Sequence, residues 1–411
     1  MKTILKENMN AVFAIESLRA GIPTRLSTRE LPDLRENIAG IIKRDLEKII
    51  SNEVPNGRLI WGQYGQGKTH LLTMAEHIAL DMNFAVSRVS LSREVSCHNL
   101  FNFYKKVAPR IMTPDSTAYG IHRVLTKKRS SDLPETPIQN IERYSNPIPA
   151  EIFETLFYTE GEEQDRIYSD LMGVKIPMGE FKRIFKLSRP TTVPPKASSF
   201  KQSEMATSYF GLLADVIKFC GYKGWIILID EVELVGRLGK VSRLKAYQNL
   251  NWLLNWQGEH EYPIYTITAA ATRLQDDTWF GEKNNDRDVM PELALEKFGK
   301  VEAEKIALFF TKALSTDCLT VTPANDKEHA NLLDKVALLH QKAYSWQADF
   351  DSMELIKKLG SQTVRTYIRA ALETLDVQYL YKEDISLNTA ELVEQELKED
   401  QNYFAENDQH E

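Results

Sequence analysis

Apolar positions near the start of the chain recur with a helical step. Ala11, Phe13, Ala14 and Leu18, then Ile38, Ile41, Ile42, Leu46, Ile49 and Ile50, repeat at a spacing that predicts two helices before residue 51. The turn-rich stretch Ala20-Gly21-Ile22-Pro23-Thr24-Arg25 separates them. The pattern then changes: Gly57-Arg58-Leu59-Ile60-Trp61 is a short apolar run bounded by glycine on each side and reads as a buried strand. Leu71, Leu72, Ala75, Ile78 and Ala79 predict a helix over 68–80 with one buried face, and the alternation from Phe84 to Leu91 predicts a second strand. Strand, loop, helix and strand in that order form a βαβ unit, which implies a parallel sheet with right-handed crossovers.

Regular patterning returns after residue 200. A helix from about Ser203 to Cys220 leads into Gly224-Trp225-Ile226-Ile227-Leu228-Ile229, an apolar strand that stops at Asp230 and Glu231. A helix over Leu244 to Trp256 and a strand over Ile264 to Ala271 follow. Beyond about residue 290 the readable pattern is helical, including Glu302 to Leu314 and Thr363 to Leu375. Residues 112–200 are the least regular, with prolines at 114, 134, 137, 147, 149, 177, 190, 194 and 195, and read as an insertion with some helix, such as Ile152 to Met172. The expected organisation is an N-terminal helical segment over 1–50, an α/β core over 51–295 with the insertion at about 112–200, a helical part over 296–385 and a frayed acidic tail over 386–411. No repeat of fixed period interrupts this order.

Composition narrows the class. With 43% hydrophobic and 27% charged residues the 411-residue chain can build a core, and its length suggests two folded units. The net charge of −7 argues against coating nucleic acid by bulk electrostatics, although one basic patch such as Lys127-Lys128-Arg129 could still serve. Cys97, Cys220 and Cys318 are scattered without metal or redox spacing, and Cys97-His98 has no nearby partners for zinc. No apolar leader opens the sequence and no apolar stretch approaches the roughly 18 residues of a membrane span, so a cytoplasmic protein is expected.

The candidate chemistry lies in two segments. Gly62-Gln63-Tyr64-Gly65-Gln66-Gly67-Lys68-Thr69 matches GxxxxGK[ST] in full and sits between the predicted strand and helix. Glycines let the backbone curl so that successive N–H groups point at phosphates, and the following helix, with His70 in its first turn, adds the positive end of its dipole. Lys68 would reach the β- and γ-phosphates of ATP, and the Thr69 hydroxyl would be a hard oxygen ligand for Mg²⁺. The second segment is the acid pair. Asp230 would hold the Mg²⁺ and its water shell and Glu231 would orient or deprotonate the attacking water. The strand carrying them is expected beside the P-loop strand. At the end of the strand 264–271, Thr272 is the first choice and Arg273 the second for sensing the γ-phosphate. Arg365, near a predicted helix start, could swing onto the phosphates, or could equally be a solvated surface arginine.

These residues together look like the AAA+ branch of P-loop ATPases, most like its origin-recognition and helicase-loader members. A closer resemblance is to the ATP-binding-domain proteins of BREX-type bacterial defence systems. It rests on Ser17-Leu18-Arg19-Ala20-Gly21-Ile22-Pro23, on the P-loop continued through His70-Leu71-Leu72, on Leu228-Ile229-Asp230-Glu231-Val232-Glu233, and on the terminal helix around Arg365 to Asp376. It covers most of the chain from about residue 10 to 380, with nothing recognisable in 112–200. The resemblance implies an α/β fold with a parallel sheet flanked by helices and a C-terminal helical lid or winged-helix-like part. It also implies an ATPase from an operon that restricts phages, whose relatives pair such a subunit with a helicase or nuclease, so that partner proteins, DNA and a homo-oligomer or hetero-complex are expected. No nuclease, methyltransferase or helicase motif is visible, and Arg237, Arg243 and Arg287 are all open as a trans-acting arginine. A nucleotide-gated scaffold with little hydrolysis is the alternative function. A small-molecule kinase would need a phosphoacceptor pocket for which no residue constellation is visible.

Overall fold

The apolar runs assemble into one six-stranded sheet in the order β3-β2-β4-β5-β1-β6. The strands are β1 (Arg58–Gly62), β2 (Ala85–Ser90), β3 (Ile111–Met112), β4 (Trp225–Asp230), β5 (Ile264–Ala271) and β6 (Leu319–Thr320). This architecture is that of a computed structural model which describes residues 2–21, 29, 31, 35–116, 118–128, 142–194 and 202–381. The acidic tail, Ile22, Pro23 and Arg129 lie outside the described residues. The described residues divide into two compact units, one formed by those within 1–39, 63–77 and from 321 on, the other by those within 40–62 and 78–320.

The sheet belongs to the second unit. Every residue of β4 and β5 is buried, as expected for parallel strands covered on both faces, which is why they read as unbroken apolar runs. All pairings are parallel except β2 with β3, a two-residue antiparallel edge. The fold is therefore a mixed α/β fold with a mostly parallel sheet flanked by helices. Three expectations need correction. The acid-tipped β4 does not lie beside β1: β5 is inserted between them, with Gly62 opposite Ala271 and Ile229 opposite Thr268. Uniform burial makes such strands interchangeable in sequence, so crossover connections and not local pattern decide their neighbours. The helix expected over Ile152 to Met172 is two helices, Ile148–Thr155 and Gly161–Leu171, parted by the tight turn Leu156–Tyr158 and by Gly161 at φ +58°. Finally, β6 adds a strand in the stretch that reads as helical.

The helices of the insertion join the core of the sheet. Phe153, Leu171 and Phe181 are buried in the same apolar cluster as Phe210 and Trp225. On the β1 side, Trp61, Tyr247, Trp279, Phe309 and Phe310 pack mainly edge to face, and the Trp61 indole donates to the Ala313 carbonyl at 2.9 Å. Each such aromatic pair contributes about 0.5–1.5 kcal/mol beyond its area, so the P-loop strand is firmly seated.

The first unit is helical around the segment 63–77. Helices Lys2–Arg19, Asp326–Tyr344 and Val364–Tyr381 bury Ala14, Ile15, Val336, Leu372 and Leu375 among one another, and Ser352–Leu359 packs Leu355, Ile356 and Leu359 with Leu333 and Tyr367. Arg19 grips Asp376 with two bonds from one guanidinium edge, through Nε and Nη2, and its Nη1 donates to the Tyr344 hydroxyl at 3.1 Å. The Trp346 indole donates to His340 Nδ1 at 2.9 Å, which leaves Nε2 to donate to Asp376 at 2.9 Å. Burial alone would raise the Asp376 carboxyl, but the bonds from His340 and Arg19 outweigh it and hold the group below its usual range. The specific Leu-Arg-Ala-Gly segment thus has a structural task in fixing the first helix to the last. No helix among the described residues is long and apolar enough to cross a membrane.

Candidate nucleotide site

The loop after β1 curls because two of its glycines take conformations that other residues resist. Gly65 stands at φ +76° and Gly67 at φ +87°. The Gln63 amide donates to the Gln66 side-chain oxygen at 2.8 Å, closing the loop upon itself. Lys68 is buried, and its ammonium donates to the Gln63 carbonyl at 3.0 Å, so a cation is held within the loop's own curve. Helix Lys68–Asp81 starts there, with the Leu71 amide bonded to the Gly67 carbonyl at 3.0 Å and with Thr69 and His70 half-buried in its first turn. Left-handed glycines, inward cation and helix N-terminus together suit a polyphosphate.

The first unit also brings Arg365 to this loop. Its guanidinium lies 5.8 Å from the centroid of the exposed Tyr64 ring, within cation–π range. The hydroxyl of Thr363, which caps helix Val364–Tyr381 by accepting from the Thr366 amide at 3.2 Å, belongs to a side chain that packs against Gly65. Gly21, at φ +66° just after the first helix, backs the same arginine: a Cβ there would stand 3.3 Å from Arg365 Nε. Tyr64 and Gly21 stand in the sequence motifs, as Arg365 does, but nothing in their local pattern marks the three as partners.

The carboxyl edge of the sheet, in the second unit, gathers the ends of β1, β5 and β4. The Thr272 amide donates to the Gly62 carbonyl at 3.3 Å, tying the end of β5 to the start of the loop. With one strand between them, β1 and β4 are about 10 Å apart. Asp230 is buried and has the Arg88 guanidinium of β2 at 3.7 Å. Its Oδ1 accepts from the Glu231 amide at 3.0 Å. Glu231 itself sits at φ +58° and ψ +39°, a left-handed conformation that costs a non-glycine residue about 1–2 kcal/mol and is typical of functional turns. Glu233 accepts from the Ala271 amide at 2.9 Å. Thr272 is half-buried, whereas Arg273 is exposed and paired with Asp277 at 2.5 Å. The turn that follows, Gln275–Trp279, has the wide π geometry often found at functional sites. Arg88 and Glu233 were not singled out by sequence reasoning; an acid two positions past the pair was the available signal for Glu233.

Other candidates fall elsewhere. Arg243 is buried and bonded to Asp286 through Nε at 2.8 Å and Nη2 at 2.9 Å, with Tyr247 donating to the same carboxylate, so it is spent inside the core and cannot act across an interface. Arg237 and Arg287 are exposed, the latter 5.5 Å from the Phe280 ring centroid. Lys128 lies over the Phe219 ring at 4.4 Å. Burial pushes the thiols of Cys97, Cys220 and Cys318 up to about 12, and the His98 ring bonds to Ser96 at 2.7 Å. Among the described residues no three His, Cys, Asp or Glu side chains cluster to hold a metal ion by themselves.

None of the curated proteins matches the chain in sequence. Among solved structures, that of the Aeropyrum pernix Orc1 protein in complex with DNA aligns with 13% identity and a TM-score of 0.35, covering 88% of this chain and 65% of that one. The chain thus spans less than two thirds of that protein, and a likeness so slight bears on neither mechanism nor partners. The BREX system ATP-binding protein BrxC/D family matches over residues 6–127 and 201–308, which include the P-loop, the acid pair and Thr272. With more than half of its length matched, the chain belongs to the BREX system ATP-binding protein BrxC/D family.

Proposed function

We propose that the chain hydrolyses ATP with Mg²⁺ and works as a switch or motor on DNA, or on a helicase or nuclease of the same defence operon. What supports this is a single arrangement: on one parallel sheet, the strand that feeds the glycine loop and the strand that ends in Asp230-Glu231 finish at the same carboxyl edge with one strand between them. The nucleotide supplies an activated γ-phosphoryl group, and the metal supplies charge neutralisation. The chain's own groups supply the rest. Loop amides of Gln63 to Lys68 and the first turn with Thr69 and His70 bind phosphates, and Lys68 leaves the Gln63 carbonyl to do so. Thr69 and Asp230 would hold the cation. Glu231, on its left-handed backbone, orients or deprotonates water. Thr272 reads the γ-phosphate, and Arg365, held over Tyr64, reports its presence to the helices of 326–381.

One observation favours the scaffold reading. The Arg88 guanidinium beside Asp230 competes for the carboxylate that a divalent ion would take, which would suit a protein that binds nucleotide and turns over slowly. Phosphate release by the wild type and by Glu231→Gln, each with and without DNA, decides between them. A switch or motor shows turnover that falls about 100-fold in the variant with ATP binding retained. Tight binding without turnover under every condition supports the scaffold.

A further inference from the structure

The Ala271 amide poses a problem that the sheet alone does not solve. In a parallel strand, successive amides face opposite neighbours, and since Thr272 donates towards β1, Ala271 points towards β4. β4 is no longer there: its last pairing with β5 is Ile229 with Thr268, and the chain then leaves the ladder at Glu231 in the left-handed conformation. Ala271 is buried, so its amide must find an acceptor. The Glu233 side chain takes the place of the missing strand, accepting at 2.9 Å. Such a bond to a carboxylate is stronger than the carbonyl bond it replaces.

A second contact straps the same segment to the same place. The tight helical turn Val232–Arg237 passes so close to the π turn after Arg273 that a Cβ on Gly236 would stand 2.5 Å from Thr278 Oγ1. Residues 231–237 are thus fastened to both ends of the short stretch 271–278.

We propose that Glu233 is a positioning residue of the ATPase site: by replacing the missing strand at the Ala271 amide it fixes Thr272 in register with the left-handed turn that presents Glu231. The assignment rests on the roles given above to Glu231 and Thr272. Glu233 touches no reacting atom. Its effect is transmitted through the backbone, so it belongs to the rate of the chemical step and not to nucleotide affinity.

The test compares Glu233→Ala with Glu233→Gln in the full chain. Loss of the acceptor in Glu233→Ala lowers kcat about 10- to 100-fold while affinity for a fluorescent ATP analogue stays within about 2-fold. Glu233→Gln, whose amide oxygen can still accept, restores turnover to within about 3-fold of the wild type. Deuterium exchange at the Ala271 amide is faster by about 10-fold or more in the alanine variant and near wild type in the glutamine variant. Unchanged kcat in Glu233→Ala, or equal losses of kcat and affinity that glutamine does not rescue, overturns the assignment. If the wild type shows no turnover, the hydrolytic reading fails by itself. Exchange at Ala271 with Mg-ATP bound then decides the role of Glu233, and equal exchange in all three proteins overturns it.

Discussion

The turns that leave β1 and β4 solve one problem in opposite ways. Both follow buried strands of a parallel sheet, and both enter positive φ within a few residues. The loop after β1 does so at Gly65 and Gly67, where the conformation is free of steric cost. The turn after β4 does so at Glu231, where it is not, and the turn is held by Asp230 on the Glu231 amide, Glu233 on the Ala271 amide and Gly236 against Thr278. The glycine loop uses residues that move cheaply, whereas Glu231 is strained and then braced.

Four changes would break or sharpen this contrast. The largest effect is expected for Lys68→Ala, which removes the cation from the loop: ATP affinity falls by about 1000-fold, read by titration calorimetry. Acid should loosen the second unit through His260, which lies before the start of β5, is buried beside Trp252 and Tyr262 and is pushed by that burial down to about 4. Its folded pKa lies below the unfolded value near 6.5, so the unfolded chain binds the extra proton. Stability is complete above about pH 6.5 and is lost between there and pH 4, by up to about 3 kcal/mol, in a denaturant titration that His260→Phe flattens. Third, Glu231→Gly relieves the left-handed strain and raises stability by about 1 kcal/mol while turnover disappears; a loss of stability would show that the turn is not strained. The smallest effect belongs to Arg365→Ala, which removes a partly exposed cation–π contact and lowers ATP affinity by about 3- to 5-fold.

Much of this architecture could be read from the chain because it is locally encoded. The glycine spacing before Lys68, the apolar run before Asp230 and the helical step around Leu71 and Ala75 each act within a few residues, and the structure places strand, loop and helix where those patterns put them. What escaped depends on partners distant in sequence. The insertion of β5 between β1 and β4 follows from connections, and Ile227, Ile267 and Ile60 look alike from within their own strands. The loss of Arg243 to the core is decided by Asp286, an acid 43 positions away. Glu233 answers to a backbone amide 38 positions on, and backbone amides have no sequence signature.

The most direct test of the central claim, that the end of β4 serves the nucleotide gripped by the loop after β1, is the magnesium dependence of ATP binding. Affinity would be measured calorimetrically for the wild type and for Asp230→Ala, each with Mg²⁺ and with a chelator. The account predicts that Mg²⁺ tightens binding by about 100-fold in the wild type and by less than about 3-fold in the variant, with the two proteins alike in chelator. An equal gain from Mg²⁺ in both proteins would contradict it.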